Sequence, residues 1–171
     1  ILSAAVAVNT LRQSSRQLQV PAAPAFAVDT QAVADKLAGA LRFQTVSSLS
    51  DPELNAGEFR KLHAYLEQRF PKLHATLQRE MVGGLSLLYT WKGSDPRAKP
   101  IALMAHQDVV PIEPGTEGKW QVPAFGGVIK DGYVWGRGAW DDKGNLLAQM
   151  QAIESLLESG FQPRQTVYLV A

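Results

Sequence analysis

Ile101-Ala102-Leu103-Met104-Ala105-His106-Gln107-Asp108 and, further along, Gly136-Arg137-Gly138-Ala139-Trp140-Asp141-Asp142-Lys143-Gly144 are the two segments whose reading decides the fold. The first opens with an apolar run bounded by Pro100, the pattern of a buried central strand. It turns polar where such a strand should end. His106 and Asp108 stand two apart, so extended backbone puts both side chains on one face. There the carboxylate can accept one ring N–H and leave the other imidazole nitrogen free for a metal. The second segment brackets an Asp pair with glycines directly before a helical pattern. Taken singly, Asp141 or Asp142 reads as a helix N-cap and His-x-Asp as a solvated loop pair. Together they sit where open α/β sheets hold ligands. Imidazole and carboxylate suit zinc or a related divalent ion, and one carboxylate can bridge two ions.

Working outward, residues 142–159 bury Leu146, Met150, Ile153 and Leu157 at spacings of four, three and four, which predicts a helix closed by Gly160 and Pro163. Residues 165–171 form the next strand, so strand, helix and strand alternate around the polar clusters. Residues 125–137 predict a hairpin turning at Asp131-Gly132, with Tyr133 and Trp135 as packing residues. Upstream, residues 76–82 and 85–91 are β-rich and joined by Gly83-Gly84, a strong hairpin signal. Helices are expected over 29–43, with Asp29 as N-cap, and over 52–70, with Phe59, Leu62, Leu66 and Phe70 as the buried stripe. His63 and His74 read as surface or boundary residues, His74 lying in the turn after Pro71.

Residues 1–28 stand apart from this pattern. The first eight are apolar and Ala-rich, and residues 13–27 carry Ser, Gln and Pro in the manner of a linker. The arm reads either as the end of a signal or membrane anchor or as a loose helical tail; eight residues cannot span a bilayer. The former reading favours the secretory pathway, a vacuole or lysosome, or the extracellular space. The folded part, 29–171, is the length of one domain in a chain of 171 residues that is 46% hydrophobic. Seventeen basic and 16 acidic residues, net +1, give no electrostatic reason to expect nucleic acid. With no cysteine, disulfides and thiolate metal sites are excluded, and any zinc must be held by His, Asp and Glu.

The segments MAHQDVVP and KWQVPAFGGVIKDGYVWGRGAWDDKG resemble the metal-site signatures of the zinc peptidase superfamily that contains carboxypeptidase S, Gly-Xaa carboxypeptidase, aminoacylase and glutamate carboxypeptidase. Trp120, Pro123, Phe125 and Trp140 bring the chain nearest to the carboxypeptidase S branch, and the resemblance extends over about residues 29–171. It implies an α/β fold, a three-layer catalytic domain with a mixed sheet flanked by helices, incomplete at its C-terminus. It implies further that His106 binds one of two zinc ions, that Asp108 belongs to the catalytic apparatus by orienting His106, and that Asp141 bridges both ions. Asp142 follows without being a ligand, and the bond between Asp141 and Asp142 is cis. In these enzymes a Glu-Glu pair after the next strand supplies the general base and a further ligand. That pair would fall after residues 166–171, and neither it nor the family's dimerisation or lid domain is in this sequence.

The resulting expectation is a di-zinc carboxypeptidase or N-acyl-amino-acid amidohydrolase that cleaves an amide bond with metal-activated water. Its substrate is a small peptide or N-acyl amino acid, and dimerisation through the missing domain is implied. The 171 residues alone are expected to be inactive. Two other classes fit the same residues: a catalytically dead relative that only binds ligands, and a non-metal α/β binding module in which His-x-Asp and Asp-Asp are a structural hydrogen bond and a cap.

Overall fold

A computed structural model describes residues 2–22 and 27–171. Leu2–Leu11 forms helix α1, whose side chains are all exposed, as an Ala-rich stretch without an amphipathic stripe allows. The folded part begins at Asp29, whose carboxylate accepts the Ala32 N–H at 3.0 Å and so caps α2, Thr30–Ala40. Helix α3, Ala56–Arg69, starts four residues later than the 52–70 pattern suggests. The side chain of Asn55 donates to the Val46 carbonyl at 2.8 Å instead of extending the helix backwards. A short helix α4, Pro71–Thr76, replaces the expected turn. Pro71 occupies its first turn, where a missing N–H costs nothing, so this proline starts a helix as well as ending one.

Strands β1, Gln78–Val82, and β2, Ser86–Trp91, form the expected hairpin, with Gly83 at φ 59° and Gly84 at φ 89° making the turn. β3 is Ile101–Met104 and β6 is Val167–Val170. β4, Val128–Lys130, and β5, Tyr133–Trp135, make a separate hairpin around Asp131 and Gly132. Its Tyr133 is largely exposed, held edge-on to Trp135 and not packed as expected. Helix α5 is Lys143–Glu158.

The sheet is mixed, in the order β1-β2-β6-β3, with β6 antiparallel to β2 and parallel to β3. The expectation of a buried central strand at 101–105 is therefore corrected. β2 and β6 have neighbours on both sides, whereas β3 lies at the edge with Ile101 43% and Met104 68% exposed. An apolar run of this length does not distinguish the two positions, because it reports side-chain type and not pairing. The core joins Leu62, Leu66, Phe70 and Leu73 of the α3–α4 region to Leu146, Met150 and Ile153 of α5 and to Tyr89 and Leu169 of the sheet. Glu154 is buried among them at 3% exposure, its two oxygens accepting the Lys72 and Leu73 N–H groups at 3.0 and 2.7 Å. This carboxylate caps α4 from the neighbouring helix.

Candidate metal centre

Polar side chains begin immediately beyond the carboxyl end of β3, where the parallel β3–β6 pair opens toward solvent. His106 lies there, and its Nδ1–H donates to Asp108 Oδ1 and to the Asp108 carbonyl, each at 3.1 Å. Across the site, the loop after β5 brings Asp141 Oδ1 to 2.9 Å from His106 Nε2. The two predicted ligands and the residue predicted to orient one of them are thus brought together.

The imidazole has a carboxylate oxygen on each nitrogen. A neutral ring carries one N–H, so a second proton or a metal ion must bridge one of these contacts. Burial pulls the His106 pKa down, but the hydrogen bonds to Asp141 and the Asp108 carbonyl and the charges of Asp108 and Asp142 outweigh it, leaving the pKa raised. The same negative surroundings favour a divalent cation. Two donors each about 2.0–2.2 Å from one zinc ion stand roughly 3 Å apart, which the His106–Asp141 separation matches. The donors are also open, with side chains of His106 and Asp141 50% and 81% exposed. The residues present therefore fit zinc, with Nε2 as the imidazole donor. Among the described residues, no third His, Cys, Asp or Glu joins them to complete a metal cage.

Asp142 occupies the N-cap position of α5 without capping it through its side chain. Its Oδ2 instead accepts the backbone N–H of His106 at 3.2 Å and the Asn145 amide at 3.4 Å. The peptide bond between Asp141 and Asp142 is cis, as the resemblance implied. Lys143 is fully buried, and its ammonium donates to the Ala40 and Phe43 carbonyls at 3.2 and 2.6 Å, tying the start of α5 to the end of α2. Burial lowers its pKa to about 8 against the weaker pull of Glu58 and Asp108.

Several contributors escaped the sequence reading. His63, expected at the surface or boundary, is 5% exposed, and its Nε2–H donates to the Gln107 amide oxygen at 2.7 Å. Its partner is 44 residues away, beyond the reach of any helical spacing. Gln107 in turn donates to the Leu85 carbonyl at 2.6 Å, anchoring the His106–Asp108 segment to the β1–β2 hairpin. The one signal for this was alternation: Gln107 must face opposite to His106 and Asp108. His74 is half-buried, donating from Nδ1 to the Phe70 carbonyl at 2.8 Å and accepting the Tyr89 hydroxyl at 2.9 Å. Ser47, which lies between the two expected helices, donates to Asp108 Oδ2 at 2.5 Å. Two hollows flank the site. One, of about 310 Å³, is lined by Ser47, Phe59 and Gln107, and another, of about 320 Å³, by Trp120, Arg137 and Trp140.

The chain is similar to known proteins in both sequence and fold. Carboxypeptidase S of Saccharomyces cerevisiae is 44% identical over 143 residues, covering 79% of this chain and 25% of that protein. The N-fatty-acyl-amino acid synthase/hydrolase PM20D1 of Xenopus tropicalis is 39% identical over 137 residues, covering 79% of this chain and 26% of that protein. The chain thus spans about a quarter of the length of these curated relatives. In fold it is similar to the M20 family metallo-carboxypeptidase Sso-CP2 from Sulfolobus solfataricus, with a TM-score of 0.62 and 22% identity over 81% of this chain and 30% of that one. The sequence profile of Peptidase family M20/M25/M40 matches residues 102–171, so the stretch that carries His106, Asp108 and Asp141 is part of a domain of that family.

Proposed function

We propose that this chain is the N-terminal part of the catalytic domain of a zinc-dependent hydrolase that releases an amino acid from a small peptide or an N-acyl amino acid. The observation that carries the proposal is the convergence of His106 Nε2 and Asp141 Oδ1 to 2.9 Å at the mouth of the sheet. His106 would hold one zinc through Nε2 while Asp108 keeps the proton on Nδ1, fixing the tautomer and the plane of the ring. Asp141, with two carboxylate oxygens, would bridge to a second ion. Asp142 holds the backbone of His106, and through it the start of the imidazole, against α5. When bound, zinc supplies Lewis acidity that polarises an amide carbonyl and lowers the pKa of water toward about 7. The names of the relatives, a carboxypeptidase and an N-fatty-acyl-amino acid hydrolase, share cleavage of an amide next to a released amino acid and support the substrate class.

The apolar arm at residues 2–11 fits a protein of the secretory pathway, although no helix among the described residues is long and apolar enough to cross a membrane.

The test is zinc content and hydrolysis by the full-length protein, with C-terminal dipeptides and N-acyl amino acids offered side by side. About two zinc ions per chain and release of a free amino acid are expected. Release at an undiminished rate after exhaustive chelation would overturn the proposal.

A further inference from the structure

We infer that Ser47 is a positioning residue of the metal centre, acting through Asp108; the inference rests on the reading of His106 and Asp141 as zinc ligands. Asp108 has one oxygen on His106 and one on Ser47: Oδ1 accepts from Nδ1–H at 3.1 Å and Oδ2 accepts the Ser47 hydroxyl at 2.5 Å. A carboxylate held by one oxygen alone turns easily, because its terminal torsion is broad. Pinning the second oxygen fixes its plane, and with it the plane of the imidazole.

The position of Ser47 is itself set by buried contacts. Thr45, with no exposed surface, donates its hydroxyl to the Gln107 carbonyl at 2.6 Å, and its own carbonyl accepts the Val109 N–H at 2.9 Å. Val46 makes a parallel bridge with Val109, and its carbonyl is held by Asn55. Residues 45–47 therefore lie along 107–109 like a short added strand, which delivers Ser47 to Asp108. From the other side, His63 and the Leu85 carbonyl hold the Gln107 side chain. The His-x-Asp segment is gripped on both flanks, and Ser47 is the grip that touches its carboxylate.

The hydroxyl has two opposing effects. By donating to Asp108 it draws off negative charge and weakens the acceptor seen by His106, which lowers metal affinity; by orienting the carboxylate it raises affinity. Orientation dominates here because the Asp108 side chain is 40% exposed. If Ser47 were removed, water would take over as donor to Oδ2 and preserve the charge effect, while the fixed direction would be lost. Ser47→Ala is therefore expected to weaken zinc binding about tenfold, the lower end of what loss of a supporting hydrogen bond costs a metal site.

Zinc dissociation constants would be measured in the full-length protein by competition with a chelator, alongside the melting temperature of the zinc-free protein. Expected are about tenfold weaker binding for Ser47→Ala, near-native binding for Ser47→Thr, which keeps the hydroxyl, and unchanged zinc-free melting in both. In an Asp108→Ala background, Ser47→Ala should have no further effect. Native affinity in Ser47→Ala, while His106→Ala loses zinc, would overturn the inference and leave the metal reading standing. Native affinity in His106→Ala would overturn both. An equal loss from Ser47→Ala with or without Asp108, or a loss matched by a fall in zinc-free melting, would show that Ser47 acts elsewhere.

Discussion

Nε2 of His106 stands 2.9 Å from Oδ1 of Asp141, 35 residues away in the chain, while Nδ1 of the same ring is held by Asp108. Under the proposed zinc reading the two aspartates have different tasks, and the tasks separate by substitution. His106→Ala should remove most bound zinc and activity from the full-length protein. Asp108→Ala should lower zinc affinity about 10 to 100-fold without abolishing it. Metal analysis after dialysis against graded chelator concentrations distinguishes the two, and equal retention of zinc by both variants would contradict the assignment.

The 171-residue chain by itself should bind zinc weakly and hydrolyse nothing. A zinc site takes about three or four protein ligands, and His106 and Asp141 supply two. Isothermal titration of the isolated chain checks this, and amidase activity in that preparation would refute it.

Glu154 supports the fold by capping α4 from the neighbouring helix. Glu154→Ala leaves the Lys72 and Leu73 N–H groups without their buried acceptor and should cost about 3 kcal/mol, since hydrogen bonds to a charged group contribute roughly 1.5–3 kcal/mol each. Glu154→Gln, which keeps one acceptor oxygen, should cost less. Urea unfolding monitored through tryptophan fluorescence gives the difference.

Acid should destabilise the fold through two histidines. Burial holds the pKa values of His63 and His74 below the usual 6.5, against the Gln107 and Phe70 hydrogen bonds that pull them up. As pH falls through about 6.5 the unfolded chain takes up these protons before the native one does, so stability present above that pH is lost below it. The zinc-free His106 has a raised pKa and contributes in the opposite sense, with stability lost as pH rises. The comparison is therefore made in a His106→Gln background. There the urea midpoint should drop between pH 7.5 and 5, and His74→Gln should flatten the drop.

Local chemistry carried much of this structure in plain view. Two glycines with positive φ made the first hairpin readable, Asp29 marked a helix start, and the His-x-Asp and Asp-Asp spacings brought the centre's residues to one sheet edge. What stayed hidden depended on pairing across the chain. Nothing near His63 announces Gln107, and nothing near Ser47 announces Asp108, because each bond forms only after the chain has folded back. The misplacement of β3 has the same origin: edge and centre differ in neighbours, not in side chains. α4 was missed for a different reason, since a proline that ends one helix and begins the next looks like a stop when read from one side.

The place of β6 at the centre of the sheet bears on how the chain is made. β1 and β2 can close on each other as soon as they leave the ribosome, but β3 has β6 as its partner, with Ile101 opposite Val167. At about 5–20 residues per second, the 66 residues from Ala102 through Val167 take roughly 3–13 s to synthesise. Through that interval an apolar segment with unpaired edges on both sides waits in the cytosol or at a translocon. Nascent chains halted before β6 has emerged should accordingly recruit more chaperone and be less compact than those halted after it has emerged and paired with β3.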